Sequence, residues 1–182
     1  MTVFSAVVFL HLAGTLALFI GYGTEWIAST LFRSASSPEQ LRSWLRVFKV
    51  SPPLSGAGLG VLLLSGGYLA SLTGAMRQGW IPATFLGIFL ALALGFALIL
   101  PRMKRIRAAL TAGNDAMPTG LRANLTDPIL LTAIRVRVML ATGIVYLMVA
   151  KPALDPSLIV LMLAIVAGLL CSFSAWRRPP VA

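Results

Sequence analysis

Residues 3–31, VFSAVVFLHLAGTLALFIGYGTEWIASTL, contain only one basic and one acidic side chain, His11 and Glu25. A helix of that length rises about 44 Å, more than the roughly 30 Å of hydrocarbon in a bilayer, and inside lipid a helix satisfies its own backbone hydrogen bonds. The stretch therefore reads as a membrane-crossing helix. It does not read as a cleaved leader, because no basic segment precedes it, the apolar run is too long and no small-residue cleavage site follows it.

Four further stretches have the same character: Pro53 to Leu72, Trp80 to Leu100, Pro128 to Ala150 and Pro156 to Trp176. Hydrophobic residues make up 58% of the 182 positions and charged residues 11%, against about 25% charged in soluble domains. That balance excludes a water-soluble globule. The connections are too short for a soluble domain of about 50 residues, so residues 1–182 read as one transmembrane domain. The expected fold is all-α, a polytopic membrane helix bundle with five transmembrane helices.

The net charge of +10 does not point to nucleic acid, because the basic residues sit at the ends of the apolar runs. Arg33, Arg42, Arg46 and Lys49 follow the first run, Arg102, Lys104, Arg105, Arg107 and Arg122 the third, and Arg177 and Arg178 the fifth. The other side carries Arg77 and Lys151. Positive residues are retained on the cytoplasmic side, so the N-terminus is expected outside and the C-terminus inside, in a multi-pass protein of the bacterial cytoplasmic (inner) membrane. Trp26, Trp44 and Trp176 then fall near the inner interface and Trp80 near the outer one.

Local punctuation agrees. Asp127-Pro128 and Asp155-Pro156 each place an N-cap acceptor before a proline suited to the first helical position. Ser37-Pro38-Glu39-Gln40 reads as a capping box, followed by Leu41, Trp44, Leu45 and Phe48 at helical spacing, with Arg42, Arg46 and Lys49 on the opposite face. This predicts a cytoplasmic amphipathic helix of about 12 residues lying against the anionic lipids of the inner interface. A Gly-, Asn- and Pro-containing loop is expected over Gly113–Gly120. Gly56-x3-Gly60 matches the small-residue spacing of close helix pairs, serving packing within the bundle or a homodimer face. The third run is chemically almost featureless.

Ionisable groups at membrane depth cost about 2.5 to 3.5 kcal/mol each on insertion scales, so they turn toward partners inside a bundle. His11, Gly14, Leu18, Gly21 and Glu25 advance by three and four residues and lie on one stripe. Thr132, Arg135, Met139, Thr142 and Tyr146 follow the same rhythm in the fourth run, whereas Arg137 lies about 200° around the helix from Arg135. The antiparallel courses of these helices put Glu25 level with Arg135, and His11 level with Tyr68 and Tyr146. The expectation is a buried Glu25–Arg135 ion pair and a hydrogen bond from His11 to Tyr68 or Tyr146. The alternative for Glu25 and Arg137 is to reach toward the interface along their stems.

His11 is the only histidine and the one group here that changes charge near neutral pH. Met148 and Met162 fall at similar depth, so a His/Met ligand pair for haem iron or copper stands beside a hydrogen-bonded or proton-linked histidine. Cys171, the only cysteine, excludes an intramolecular disulfide.

With His11-x2-Gly14 followed by Gly21, Leu10 to Trp26 resembles the opening helix of small bacterial integral membrane proteins of unknown function, similar in pattern to the copper-resistance D and HemJ-type families. That resemblance implies haem b or copper as a cofactor, with His11 as ligand. This chain lacks a second histidine, so a bis-histidine haem implies a dimer or another subunit. No recognised catalytic motif is present. Three functions follow: a non-enzymatic bundle or subunit of a membrane complex, a haem-binding redox protein using His11, or a small-solute or ion transporter using Glu25 and Arg135.

Overall fold

The structure, a computed structural model, describes residues 2–112, 121 and 124–177, all of whose regular elements are helical. Helix α1 is Val3–Phe32 and α2 is Pro38–Leu72. Helix α3 runs through Trp80–Ala93, a π-helical turn at Leu94–Ile99, and Leu100–Ala112. Helices α4 and α5 are Pro128–Ala150 and Leu154–Arg177. Each of the five is long and apolar enough to cross a membrane. The loop expected over Gly113–Gly120, and Arg122 and Arg178 from the basic set, lie outside the described residues.

The helices start where oxygen acceptors precede them. Ser37 Oγ accepts from the Gln40 amide, and Asp127 accepts from the Ile129 amide just before Pro128. Helix α5 begins one residue ahead of Asp155, which occupies its first turn instead of its N-cap. The amphipathic stretch after Ser37 is helical, yet it does not lie apart as a separate element. It forms the first turns of α2 and continues through Pro52 and Pro53 into the second span. Its apolar face explains why: Leu41, Leu45 and Phe48 pack with Ile99, Met103 and Ile106 of α3, so protein covers the face expected to meet lipid.

Helices α1 and α2 pair most extensively, and α4 sits centrally against α1, α3 and α5. The α1–α2 seam is set by two close approaches. A Cβ on Gly58 would lie 2.7 Å from the Gly14 carbonyl oxygen, and one on Gly21 would lie 2.7 Å from the Ser55 Cβ. Small side chains let the backbones approach and gain packing that lipid tails cannot supply. The seam passes through Ser51, Ser55, Gly58, Leu62 and Ser65, all buried, whereas added methyls on Gly56 and Gly60 would meet nothing within 4 Å. The Gly56-x3-Gly60 pattern therefore lies off the α1–α2 contact.

The π turn in α3 has a local cause. Pro101 has no N–H to offer the Ala97 carbonyl, and its ring crowds that oxygen. Leu100 bonds instead to Gly95, five residues back, widening the helix there.

Helices α2 and α3 share apolar clusters near both ends, Phe48 with Met103 at one and Ala70 with Trp80 at the other. Between those clusters the two helices part. The cleft between them is floored by α1 and α4 and holds two cavities of about 350 Å³ each, with Leu59 on the boundary of both.

Candidate functional site

The inner cavity lies in the half of the bundle nearer the basic helix ends. Its deepest feature is an ion pair between Glu25 of α1, 2% exposed, and Arg137 of α4, 9% exposed. Arg137 Nη2 lies 3.1 Å from both carboxylate oxygens of Glu25. Ser51 of α2 places its hydroxyl 2.9 Å from Glu25 Oε1 and 2.6 Å from the Gly21 carbonyl, so one proton is shared between two acceptors. The Arg137 guanidinium sits 4.0 Å from the Tyr22 ring centre, a cation–π contact strengthened by desolvation. On its far side is the π turn of α3: a Cβ on Gly95 would stand 3.0 Å from Arg137 Nη1. Arg137 is thus held between α1 and α3, except at Nε, which is buried and finds no hydrogen-bond partner.

The expected partner, Arg135, is elsewhere, and this corrects the sequence-based pairing. Arg135 Nη1 donates to the Cys171 carbonyl of α5 at 2.8 Å, and its guanidinium lies 5.7 Å from the Trp26 ring centre. The reason is that α4 is the central helix. Leu130, Ile134, Leu140, Ala141, Ile144 and Leu147 fill its interior contacts, leaving the Thr132–Tyr146 polar rhythm on its outer seam. Trp176 of α5 donates its indole N–H to Thr132 on that seam at 3.1 Å.

His11 also finds a different partner. Its Nδ1 lies 3.0 Å from Ser65 Oγ, and Ser65 donates its own proton to the Val61 carbonyl at 2.6 Å. Nδ1 is then the donor and Nε2 the lone-pair nitrogen. The ring rests against Gly66, where a Cβ would lie 3.1 Å from His11 Cε1. Tyr68 and Tyr146 are 42% and 56% exposed, on outward faces of their helices. Met148 lines the outer cavity together with His11, but Met162 is 66% exposed on the outside of α5. The expected three-residue ligand set is therefore not assembled.

The outer cavity is mostly apolar, its polar lining side chains being His11, Thr15, Thr73, Thr84 and Lys151. Thr84 Oγ1 is buried without a hydrogen-bond partner. The inner cavity carries Glu25, Arg137 and Ser55 at depth and Lys49, Lys104 and Arg107 toward its basic end. Among the described residues no group of three or more His, Cys, Asp or Glu side chains is placed to hold a metal ion.

A second ion pair braces the basic end. Arg102 Nε donates to Asp127 Oδ2 at 2.7 Å, while Asp127 Oδ1 caps α4. One carboxylate thus joins α3 to the start of α4.

Residues 5–152 match the model of the family described as predicted integral membrane protein (DUF2269). The chain belongs to the DUF2269 family. Both members of the Glu25–Arg137 pair, the Ser51 and Gly95 positions and His11 lie inside the matched region, whereas α5 follows it. No curated protein and no solved structure matches this DUF2269 chain.

Proposed function

We propose that this DUF2269 protein is a non-enzymatic, multi-pass component of the bacterial cytoplasmic membrane, N-terminus outside, that holds an amphipathic small molecule taken laterally from the bilayer into the α2–α3 cleft. One observation carries the reading: α2 and α3 part between their end clusters, and the space between them is lined by apolar side chains with polar groups at separated depths. Ligand pockets of about 300 to 1,000 Å³ with few, separated polar groups are the usual small-molecule design. The Glu25–Arg137 pair serves here as the lock that fixes α1 and α4, and hence the width of the cleft.

The test is photolabelling in vesicles with a zwitterionic phosphatidylcholine carrying a diazirine midway along one chain. Labelled peptides are expected to include the cleft positions Leu59 and Ile88. Labelling confined to outward positions such as Phe89 and Leu170 overturns the reading.

A second reading is favoured by the His11 geometry and by the resemblance of Leu10 to Trp26 to copper-resistance D and HemJ-type proteins. With Nδ1 committed to Ser65, His11 keeps Nε2 for a metal, and Met148 lines the same cavity. His11 and Met148 would hold haem b, and the group would supply one-electron redox chemistry. An optical spectrum decides it: absence of a Soret band after incubation with haemin removes haem. Transport is tested by a proteoliposome flux assay, in which unchanged flux in Glu25→Gln excludes that carboxylate from the path.

A further inference from the structure

The inner half of the cleft carries a charge imbalance. Four cations, Arg137, Lys49, Lys104 and Arg107, border one cavity with a single carboxylate, Glu25. That carboxylate is already engaged by Arg137 and Ser51. Lys104 and Arg107 are three residues apart on one face of α3, and Lys49 comes from α2. Arg137 is nine-tenths buried, borders the cavity, and keeps one N–H without an acceptor. Gly56 and Gly95 leave room beside these groups, and the π turn broadens the α3 wall in front of them. Beyond Leu59 the cleft continues as an apolar cavity.

We propose that the inner cavity binds the headgroup phosphate of an acidic phospholipid, with Lys49, Lys104 and Arg107 at its mouth, Arg137 at its floor, and an acyl chain lying along the cleft toward Leu59. The proposal rests on the cleft reading above and assigns its ligand class. A phosphate on a chain matches what the site offers, several cationic donors at one end and apolar walls beyond. A choline headgroup would add its own positive charge to the three cations of the mouth. A free phosphate ion would leave the apolar length of the cleft unused.

The full chain, reconstituted in nanodiscs of equimolar phosphatidylglycerol and phosphatidylcholine and released for native mass spectrometry, gives the test. Each basic residue near a membrane surface contributes about 1 kcal/mol toward anionic lipid, so phosphatidylglycerol adducts should exceed phosphatidylcholine adducts about tenfold or more. The triple variant Lys49→Gln, Lys104→Gln, Arg107→Gln removes the mouth and should bring the ratio to about twofold or less. Arg42→Gln, Arg46→Gln, Arg105→Gln removes the same charge from exposed sites outside the cavity and should keep the enrichment. Equal adducts in the unaltered protein, or equal loss in both triple variants, overturns the proposal. Loss of phosphatidylglycerol enrichment on adding excess inorganic phosphate overturns the lipid assignment in favour of a soluble anion. Photolabelling with the zwitterionic probe separates the two levels, because cleft labelling without headgroup preference leaves the cleft reading standing and removes only this one.

Discussion

Two arginines two positions apart in α4 have opposite fates, and depth and direction decide them. Arg137 lies about 3 Å farther from the start of α4 than Arg135, level with Glu25, and turns toward α1 and the widened α3. Arg135 takes the outer seam and a backbone carbonyl. Removing one member of a buried pair strands the other at a cost of about 3 to 5 kcal/mol, while removing both is much milder. Arg137→Leu alone should therefore unfold at clearly lower denaturant in detergent, and Glu25→Leu together with Arg137→Leu should recover most of the loss. Arg135→Gln, at a partly exposed site, should cost about 1 kcal/mol or less. Equal damage from Arg135→Gln and Arg137→Leu in a denaturation series contradicts this ranking. His11→Ala should also be mild, about 1 kcal/mol in the same assay, since Ser65 keeps its bond to the Val61 carbonyl. That Glu25 needs a cation from α4 was legible in the sequence. Which cation was not, because polar periodicity marks the inner face only of a peripheral helix, and in a central helix such as α4 it marks the outside.

At the level of elements the same contrast separates the glycines of α2. The sequence pattern favoured Gly56 and Gly60, but the seam with α1 uses Gly58, in line with Ser51, Ser55, Leu62 and Ser65 at three- and four-residue steps. Serine is small enough to share such a seam, and its hydroxyl bonds to its own helix or a neighbour, so a search for glycine spacing alone misses it. A Cβ on Gly58 would meet backbone atoms of α1 at 2.7 Å, and backbone can yield only if the helices separate. Gly58→Val should destabilise the protein by about 1 to 3 kcal/mol or more, and Gly60→Ala should leave it unchanged or gain about 0.5 to 1 kcal/mol from helix propensity. Thermal unfolding of the two variants checks the order, and a larger loss in Gly60→Ala would place the seam wrongly. Helix α3 holds the other lesson. Its sequence offers no polar side chain at membrane depth near Arg137, so its contribution is invisible to a search for partners. The signals were Gly95, which makes room, and Pro101, which forces the wide turn.

Across the whole molecule, the number and class of helices followed from apolar run lengths, because nothing but helix length has to match the bilayer. The ends did not. Helix α2 has 35 residues and spans about 52 Å, well beyond the roughly 30 Å of hydrocarbon; α3 is nearly as long. The overhang of both lies at the basic end, where Phe32, Leu41, Phe48, Ile106, Leu121 and Leu125 form a shared apolar core. A membrane-proximal core of this kind looks, in one dimension, like an amphipathic helix at an interface, since both bury one face. Its basic rim includes Arg42, Arg46, Lys104 and Arg105, and an excess of such residues is retained on the cytoplasmic side during insertion. The orientation follows as a prediction about the entire chain. In a Cys171→Ser background, Met76→Cys on the α2–α3 turn should react with a membrane-impermeant maleimide applied to intact cells stripped of their outer membrane. Ser36→Cys, between α1 and α2, should react only after permeabilisation. The reverse pattern would put the overhanging core and the mouth of the inner cavity outside the cell, where the charge argument does not permit them.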